Sequence, residues 1–238
     1  LLVEWYGTES LDDANRLVGT VTSRPNCLVT PSELVRTEVR ELGATAENTT
    51  TIPESIDFSM VRSVEPDEDT DIVYAHELDE AANLDDFLLG LAEFRQRDWE
   101  ATVVGDGPLR AEYEREAEKL RIEDRVHFVG ECDRERRVSL YRGAHAFVHT
   151  ALREEFATEL LWALACGCVG IVEYQEESSA HELIEHYERS FRVMNPSEIA
   201  GAIDEASDFS AETADSEWDR YDHDVVIEQY LSLYDDLR

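Results

Sequence analysis

Lysine is almost absent from this sequence: of its 21 basic residues, only Lys119 is a lysine. Acidic residues number 55, so the formal net charge is −34 at pH 7. Such a charge excludes non-specific binding to nucleic acids and to anionic lipids, because both carry charge of the same sign. At about 1 M salt the Debye length falls to about 3 Å, and a carboxylate surface then hardly repels itself. The composition predicts adaptation to concentrated salt, with an acidic partner-binding patch as the alternative.

Long apolar runs and cysteine clusters are missing as well. No run approaches the roughly 18 apolar residues of a membrane span, and no basic-then-apolar leader opens the chain, so we expect a soluble protein of the cytoplasm. Zinc ligands usually occur as spaced pairs of Cys or His, which this sequence does not show. We therefore expect no metal site and reduced, mostly buried thiols at Cys27, Cys132, Cys166 and Cys168.

From Asp71 onward, short apolar runs alternate with amphipathic stretches. The runs are rich in Val, Ile and Phe, and several are apolar nearly throughout, as strands covered on both faces should be. The predicted strands are Asp71–Ala75, Ala101–Gly105, Val126–Gly130, Ala144–His149, Val169–Glu173 and Ser190–Met194. Strands and helices that alternate in this way predict an α/β fold with a doubly wound parallel sheet.

Capping signals mark the ends of the predicted helices. Asn83 is placed to cap a helix that has Arg95 and Arg97 in its last turn. Ser179 and Glu182 have the spacing of a capping box. The remaining signals are Pro108 after Gly107 and Asn195 to Glu198 at helix starts, and Gly167 at a helix end.

The first sixty or so residues follow a different pattern. Cys27–Thr30 and Thr50–Pro53 are predicted strands, and between them Ser32 begins a helix that ends at Gly43. Two strands and one helix do not close a domain, so this piece is predicted to be the end of a neighbouring lobe. The last helix carries an apolar stripe that we expect to pack on this piece, formed by Val225, Val226, Tyr230, Leu231 and Tyr234.

Two glycine-containing loops follow predicted strands, at the edge where open parallel sheets bind ligands. Gly105 opens the first loop and Gly130 the second, where Glu131 and Cys132 come next. Glycine allows a tight turn and a close approach of the backbone to a ligand. A plain strand-to-helix turn explains the first loop equally well, and the glycine of the second either admits a nucleotide base or only ends a strand.

The most specific segment runs from Ala144 to Gly167, A-H-A-F-V-H-T-A-L-R-E-E-F-A-T-E-L-L-W-A-L-A-C-G. It resembles, without gaps, the signature of the family 4 retaining glycosyltransferases of GT-B architecture, A-D-V-F-V-x-P-S-x-x-E-G-F-G-x-x-x-L-E-A-M-A-C-G. Val103–Pro108, Asp124–Gly130 and His181–Ile184 lie where that family has similar motifs. The resemblance covers the chain from about Asp71 to Met194.

The resemblance implies a two-lobed enzyme that transfers a sugar from a nucleotide-sugar donor to an unknown acceptor with retention of configuration, without metal or other cofactor. Residues 64–215 would form the Rossmann-like donor lobe, and residues 1–63 would end the acceptor-side lobe. Residues 216–238 would be the helix that crosses back to it. The acceptor-side catalytic histidine and the glycine-rich loop of the family are expected upstream of Leu1.

Donor-site residues carry over unevenly. Glu154 matches the first acid of the family's paired glutamates, which contacts the donor sugar, and the second acid falls on Trp162. The arginine and the lysine that clamp the diphosphate fall on Glu77 and Ala82. The resemblance implies Glu154 as the catalytic residue. The implied donor-binding set is Gly105, Gly130, Glu131, Cys132, His149, Phe156, Ala157, Thr158 and Trp162, with Ala157 and the neighbouring Glu155 in place of two family glycines.

These departures leave two functions open. A glutamate beside a diphosphate replaces an attraction by a repulsion, each of about 4 kcal/mol at about 4 Å and an effective dielectric constant near 20. An enzyme would need another cation at the site, for which the sequence offers Arg110, Arg134 or Arg153. The alternative is a degenerate module that keeps the fold and binds a partner. His145 and His149 alternate on one predicted strand, where packing is a simpler interpretation than a metal site.

Overall fold

The computed structural model describes residues 2–5, 22, 27–94 and 98–237. Near the N-terminus, β1 (Leu2–Glu4), β2 (Cys27–Thr30) and β3 (Thr49–Thr51) form a small parallel sheet in the order β1-β2-β3. The remaining strands are β4 (Ile72–Ala75), β5 (Ala101–Val104), β6 (Val126–Gly130), β7 (Ala146–His149), β8 (Arg153–Glu154), β9 (Val169–Glu173), β10 (Glu177–Ser178) and β11 (Ser190–Val193).

Six of these strands form the main sheet, in the order β11-β9-β7-β4-β5-β6. Every pairing in it is parallel, and β8 and β10 form a separate two-stranded parallel ladder. The strand order reverses direction between β4 and β7, which is the topological switch point of a doubly wound sheet. The predicted fold class is confirmed, and the predicted strands differ from the observed ones by at most two residues at an end.

Helices cover both faces of the main sheet. In chain order the helices are α1 (Glu33–Glu41), α2 (Phe58–Ser63), α3 (Leu84–Glu93), α4 (Arg110–Leu120), α5 (Arg134–Gly143), α6 (Thr158–Ala165), α7 (Ala180–Ile184), α8 (Pro196–Ala206) and α9 (His223–Asp236), with a 3₁₀ turn at Ser216–Tyr221. Of these, α1 and α9 pack on the N-terminal sheet instead. Along β4, Ile72 and Tyr74 face the core shared with α3 and α8, whereas Val73 and Ala75 face the core shared with α6. Burial on both faces explains why the strands are apolar nearly throughout.

The predicted caps agree with the structure at two helices. Ser32 accepts a hydrogen bond from the Val35 amide and caps α1, and the Asn195 side chain accepts one from the Glu198 amide and caps α8. Gly167 has φ = 92°, the left-handed conformation expected just after the end of α6. The helix signalled by Gly107 and Pro108 begins slightly later, at Arg110.

Two other capping predictions are wrong. Asn83 stands before α3 in a left-handed conformation, with φ = 48°, and its side chain caps no backbone amide. It donates instead to Thr150 O at 3.3 Å and to Glu173 Oε2 at 3.1 Å, which ties the loop after β4 to the ends of β7 and β9. Arg95 and Arg97, predicted for the last turn of the same helix, lie outside the described residues.

The predicted capping box of α7 is also replaced by longer-range bonds. Ser179 Oγ donates to Glu155 O at 2.9 Å, so it is turned away from its own helix. The Glu182 carboxylate accepts hydrogen bonds from the Glu33 amide at 3.0 Å and the Leu34 amide at 2.7 Å. These two amides open α1, so a side chain of the main α/β unit caps a helix of the N-terminal piece.

The last helix packs on the N-terminal sheet, but with a narrower face than predicted. Val226 is buried against Cys27, Val29 and Ile52, and Tyr230 joins this cluster. Leu233, which the prediction left out, packs there as well. The prediction is wrong for three residues of the stripe, which remain 40–58% exposed: Val225, Leu231 and Tyr234.

All four cysteines are free; Cys27, Cys166 and Cys168 are buried and Cys132 is half-buried, as predicted. Burial raises the pKa of the Cys166 thiol to about 12, which keeps it protonated and unreactive. In the described parts of the chain, no helix is both long and apolar enough to cross a membrane.

Candidate functional site

The switch point of the main sheet brings two loops together at its carboxyl edge. His76 follows β4 directly, and the segment after β7 runs through β8 to Glu154. His149 is the last residue of β7 and interacts electrostatically with both His76 and Glu154. Neighbouring parallel strands end at the same edge of the sheet. His76 therefore forms one group with two side chains that are 70 or more residues away in the sequence. We call His76, His149 and Glu154 the histidine cluster.

Glu154 is held at the rim of this edge by backbone and side-chain contacts. Its strand β8 pairs with β10, and its carbonyl accepts a hydrogen bond from the Ser179 amide at 2.8 Å. Its carboxylate Oε1 lies 3.3 Å from His76 Nε2, and both side chains are mostly buried, with 16% of His76 and 22% of Glu154 exposed. The acid that the sequence singles out therefore has a basic partner that the sequence did not indicate.

The two imidazoles of the cluster differ in charge. Burial disfavours the protonated form of His76, but the hydrogen bonds with Glu154 and the Glu77 carbonyl outweigh it, so the pKa of His76 is raised. Burial lowers the pKa of His149 to about 4, and the nearby Glu154 only partly opposes this. His149 is therefore neutral near pH 7. Its Nε2 atom is buried without a hydrogen-bond partner among the described residues.

His145 does not join this cluster. It precedes β7, at the opposite end of the strand from His149, and its Nε2 lies 2.8 Å from the Ala206 carbonyl. Across the described residues, no three His, Cys, Asp or Glu side chains form a group that could hold a metal ion. His145 is thus part of the packing between β7 and α8.

The glycines after β5 and β6 shape the neighbouring part of the edge. Gly105 has φ = 125°, and a Cβ built there would stand 2.0 Å from the His76 carbonyl oxygen. Gly130 has φ = 73°, and its carbonyl accepts a hydrogen bond from the Gly105 amide at 3.0 Å. Both positions need glycine, because a side chain is strained at positive φ and Gly105 has no room for one. Gly105 therefore fixes the backbone of the histidine cluster.

Glu131 and Cys132 follow Gly130 at the beginning of the next loop. The Glu131 carboxylate is exposed and pairs with Arg137 at 2.7 Å. The Cys132 carbonyl accepts a hydrogen bond from Arg137 Nε at 3.2 Å. One arginine of α5 thus fixes the conformation of this loop through both residues.

A second glutamate near this loop, Glu159, is half-buried and has several hydrogen-bond partners. Glu159 accepts hydrogen bonds from Arg134 at 2.8 Å, from Arg137 at 2.9 Å and from the Tyr141 hydroxyl. Burial raises the pKa of such a carboxyl, but the bonds from both arginines and Tyr141 outweigh it and lower the pKa of Glu159. We call these four residues the arginine network.

Trp162 occupies the position of the family's second acid, and it lies inside the protein. It is only 5% exposed, and the Arg134 guanidinium carbon lies 5.0 Å from the centre of its ring. The cation–π contact and the burial give Trp162 a packing role between α6 and α5. Trp162 as a donor contact stays a prediction, and a buried indole offers a ligand little surface.

The other predicted donor residues lie at the start of α6. Phe156 is half-buried, with its ring 6.3 Å from that of Tyr221. Ala157 is buried and precedes the helix, and the Thr158 hydroxyl donates to the Glu54 carboxylate. These contacts join α6 to the segment that follows β3 and to the turn before α9, so all three residues already have partners within the protein.

The positions of the expected diphosphate clamp lack cations. Glu77 is exposed beside His76, and Ala82 is fully buried. The three arginines that could replace the clamp have carboxylate partners: Arg110 pairs with Asp106 and Glu114, Arg134 with Glu159, and Arg153 with Glu177. Among them, Arg153 lies next to Glu154 and lines the same cleft.

A cleft of about 270 Å³ opens between α1 and the ladder of β8 and β10. Leu34, Val35 and Glu38 line it from α1, facing Glu154, Glu155, Glu177 and Arg153. Burial raises the pKa of the Glu38 carboxyl, and the nearby Glu155 and Glu177 raise it further. The cleft lies between the N-terminal piece and the main unit and is predominantly acidic.

Three functional features escaped prediction from the sequence. His76 lies outside the motifs that the sequence analysis singled out, so nothing in the sequence pointed to it. Glu159 lies three residues before Trp162, and its arginine partners come from another helix. Buried Glu173 is paired with Asn83, which had been read only as a helix cap. The arginine excess of the sequence was the available signal, because arginine is the usual partner of buried carboxylates.

A family model described as glycosyl transferases group 1 matches residues 55–215, about two thirds of the chain. No curated protein gives a significant match to the sequence.

Solved structures match over almost the whole chain. HepE from Anabaena, in complex with UDP and glucose, is 18% identical with a TM-score of 0.83, covering 99% of this chain and 71% of HepE. A glycosyltransferase from Rickettsia africae is 14% identical with a TM-score of 0.83, covering 99% of this chain and 70% of its own. Sucrose-phosphate synthase from Thermosynechococcus elongatus is 18% identical with a TM-score of 0.76, covering 99% and 67%. At these identities, the likeness shows the fold.

Proposed function

Because this chain belongs to the glycosyl transferases group 1, we propose that it acts on a nucleotide-sugar donor and transfers the sugar with retention of configuration. The observation that supports this most directly is the position of Glu154. It stands at the carboxyl edge of the switch point, partly exposed, beside His76 and on the wall of the cleft. Ligands of doubly wound sheets bind at this edge.

In the proposed complex, Glu154 orients the donor sugar. The backbone from Gly130 to Cys132 holds the base, as glycine at positive φ lets a ligand approach the chain closely. His149 is the further contact at the floor, where its buried Nε2 lacks a partner among the described residues. HepE is described in complex with UDP and glucose, so UDP-glucose is the first donor to test.

We further infer a division of labour along the chain. Residues 64–215 would bind the donor, residues 1–63 would face the acceptor, and residues 216–238 would link the two. The bonds from Glu182 to the start of α1 and the packing of Val226 on β2 support this division, because they join its proposed parts. The acceptor is unidentified. Free thiols favour a cytoplasmic location.

The acidic composition supports a protein that works in concentrated salt. With a net charge of −34, the chain repels itself at low ionic strength. At about 1 M salt, screening confines this repulsion to about 3 Å. We therefore expect unfolding at low salt and design the following measurements in multimolar potassium chloride.

The test is calorimetric titration with UDP-glucose and a panel of other nucleotide sugars, followed by an assay for release of the nucleotide. Wild-type protein should bind at least one donor. Glu154→Gln, which keeps the size but removes the charge, should lose at least about ten-fold in turnover. Glu80→Gln is the control, since Glu80 is an exposed carboxylate in the loop after β4. If wild-type protein binds no nucleotide sugar, the proposal is wrong.

A degenerate binding module is the second candidate. It is favoured by the acidic cleft and by the loss of the expected clamp, with Glu77 exposed and Ala82 buried. Glu154→Ala separates the two functions. A transferase should lose turnover with this change, whereas a scaffold should have no turnover to lose and should retain its macromolecular partner in a pull-down.

A further inference from the structure

The donor site proposed above lacks a cation for the diphosphate at the two positions where one is expected. Glu77 would repel a diphosphate, and Ala82 is buried. Three arginines were offered above as replacements for the missing cations. Arg110 is bonded to Glu114 at 2.9 Å and Arg134 to Glu159 at 2.8 Å. Arg153 pairs with Glu177. Recruiting any of them would break an ion pair with a carboxylate that has no proposed role in donor binding.

His76 is a basic group already present at this point of the sheet. It immediately precedes Glu77 and follows β4, the central strand of the switch point. Its Nδ1 lies 2.7 Å from the Glu77 carbonyl, which places the donor proton on that nitrogen and fixes the ring. Its Nε2 then points at Glu154, 3.3 Å away.

The site is built to hold this ring in place. The Gly105 position has no room for a side chain because the His76 carbonyl packs against it. The His76 amide donates to the Val104 carbonyl at 3.2 Å, which continues the pairing of β4 with β5. His76 therefore sits on a rigid strand end, as a residue that recognises a ligand geometrically should.

A second, independent observation points to a ligand at the same place. His149 is 3% exposed, and its Nε2 atom has no hydrogen-bond partner in the described part of the chain. A buried polar atom without a partner is costly unless a ligand or water satisfies it. His149 and His76 interact electrostatically with each other and with Glu154. The unpaired nitrogen thus belongs to the group that contains His76.

We propose that His76 is the donor-recognition residue of this protein, and that it contacts the donor diphosphate in place of the cations missing at Glu77 and Ala82. This inference rests on the proposed function. Glu154 is its counter-ion when no donor is bound, and it is released to the sugar hydroxyls when the phosphate charge takes over the imidazolium. His76 thereby contacts the diphosphate directly and acts on the sugar through the release of Glu154.

The charge of His76 makes the proposal sensitive to pH. The titratable groups that act on it are Glu154 of β8, His149 of β7 and Asp79 of its own loop. Both carboxylates favour the protonated ring, and the neutral His149 does not compete for the proton. Diphosphate affinity should therefore be highest below the raised pKa of His76 and should fall as the pH rises through it.

The experiment compares nucleoside diphosphates with the matching monophosphates, using UDP, ADP and GDP against UMP, AMP and GMP. Calorimetry in multimolar potassium chloride gives the affinity ratio of each pair for wild type, His76→Gln and His76→Arg. His76→Gln should weaken the diphosphate about ten-fold or more, the worth of one charge-assisted hydrogen bond, and should leave the monophosphate unchanged. His76→Arg should bind the diphosphate as tightly as wild type, and its affinity should no longer fall between pH 6 and pH 9.

The matched control is His127→Gln. His127 also pairs with a glutamate, Glu100, at 2.6 Å, but this pair lies at the amino end of the sheet. Its loss should not change the ratio. If wild-type protein and His76→Gln bind a diphosphate with equal affinity, or if the affinity does not depend on pH, the inference is wrong while the proposed function stands. If neither diphosphates nor nucleotide sugars bind to wild-type protein, both are wrong.

Discussion

The histidine cluster and the arginine network both hold a glutamate near the carboxyl edge of the sheet, but they satisfy it differently. Glu159 of the network accepts bonds from two arginines and a tyrosine. Glu154 of the cluster has His76 as its side-chain partner among the described residues, and the neighbouring His149 nitrogen is unpaired. One carboxylate is saturated and the other is not.

This difference separates a structural role from a binding role. A saturated buried carboxylate stabilises the packing around it, and a ligand could engage it only by breaking those bonds. Unsatisfied polar groups lower stability and are retained where function needs them. Under the proposed function, Glu159 stabilises the edge and Glu154 recognises the ligand.

The first prediction concerns the arginine network, which we expect to contribute more to stability than the histidine cluster. Glu159→Ala should lower the free energy of unfolding by about 3 kcal/mol, because it removes the carboxylate acceptor of Arg134 and of the buried Tyr141 hydroxyl, and one of the acceptors of Arg137. Glu154→Ala should lower it by less than about 1 kcal/mol, because its carboxylate has a single side-chain partner among the described residues, and that partner is a histidine. Urea denaturation at constant high salt measures both. Equal losses for the two variants would remove the distinction between cluster and network.

The second prediction concerns Gly105, whose backbone packs against that of His76 in the histidine cluster. Gly105→Ala should cost about 3 kcal/mol, since it combines a positive φ with a contact of 2.0 Å to the His76 carbonyl. Gly201→Ala is the matched control, because Gly201 lies within α8 and no described atom comes within 4 Å of its Cβ position. That substitution should stabilise the protein by about 0.5–1 kcal/mol. Thermal unfolding measures the stability of both variants. A Gly105→Ala variant as stable as wild type would contradict the close packing of Gly105 against His76.

The main sheet was predictable because its signals are local. Five- or six-residue apolar runs, with turn residues after them, fix the positions of β4 to β7 to within two residues at each end. Ser32 and Asn195 cap their own helices, and Gly167 ends one, because these bonds span only a few residues. Local chemistry of this kind is read directly from the sequence.

The failures share the opposite property. Residue types that commonly cap helices stand at Asn83, Ser179 and Glu182, but each of these side chains bonds to a distant segment. Glu182, for example, binds an amide of α1 that lies 149 positions away in the sequence. The partner of Glu154, His76, is 78 positions away, a separation that no spacing rule covers. Tertiary contacts override local propensity at this edge, and this explains why the fold was predicted, and Glu154 and His149 were named, whereas His76 was not.

The third prediction tests a contact that reaches from the edge to the N-terminal piece. Glu182→Ala should destabilise the protein by about 1–2 kcal/mol, because the Glu33 and Leu34 amides lose a charged acceptor at the start of α1. Ser32→Ala removes the cap that α1 itself supplies and should cost about 1 kcal/mol. Hydrogen exchange at the Glu33 and Leu34 amides reports the effect directly. Unchanged protection of both amides in Glu182→Ala would show that this carboxylate does not hold the helix.

The fourth prediction concerns Glu173, a buried carboxyl at the end of β9. It accepts a hydrogen bond from Asn83, and it is intermediate between the saturated Glu159 and the unsaturated Glu154. Burial and the neighbouring Asp86 raise its pKa to about 7, while Asn83 opposes the shift. The folded protein therefore binds a proton that the unfolded chain releases above pH 4.5, the ordinary value. Stability should fall as the pH rises from about 4.5 to about 7, because the unfolded state binds fewer protons in this range.

Glu173→Gln should remove this dependence. At pH 8 the variant should be more stable than wild type by about 1 kcal/mol, a value reduced for the solvent access of the pair, and near pH 5 the two should be equal. Glu176→Gln is the control, because Glu176 is exposed three residues further on and should show no such difference. Urea denaturation at pH 5, 6.5 and 8 gives the curve. A difference that does not grow with pH would mean that Glu173 is already ionised, and the edge would then hold a second saturated carboxylate instead of an intermediate one.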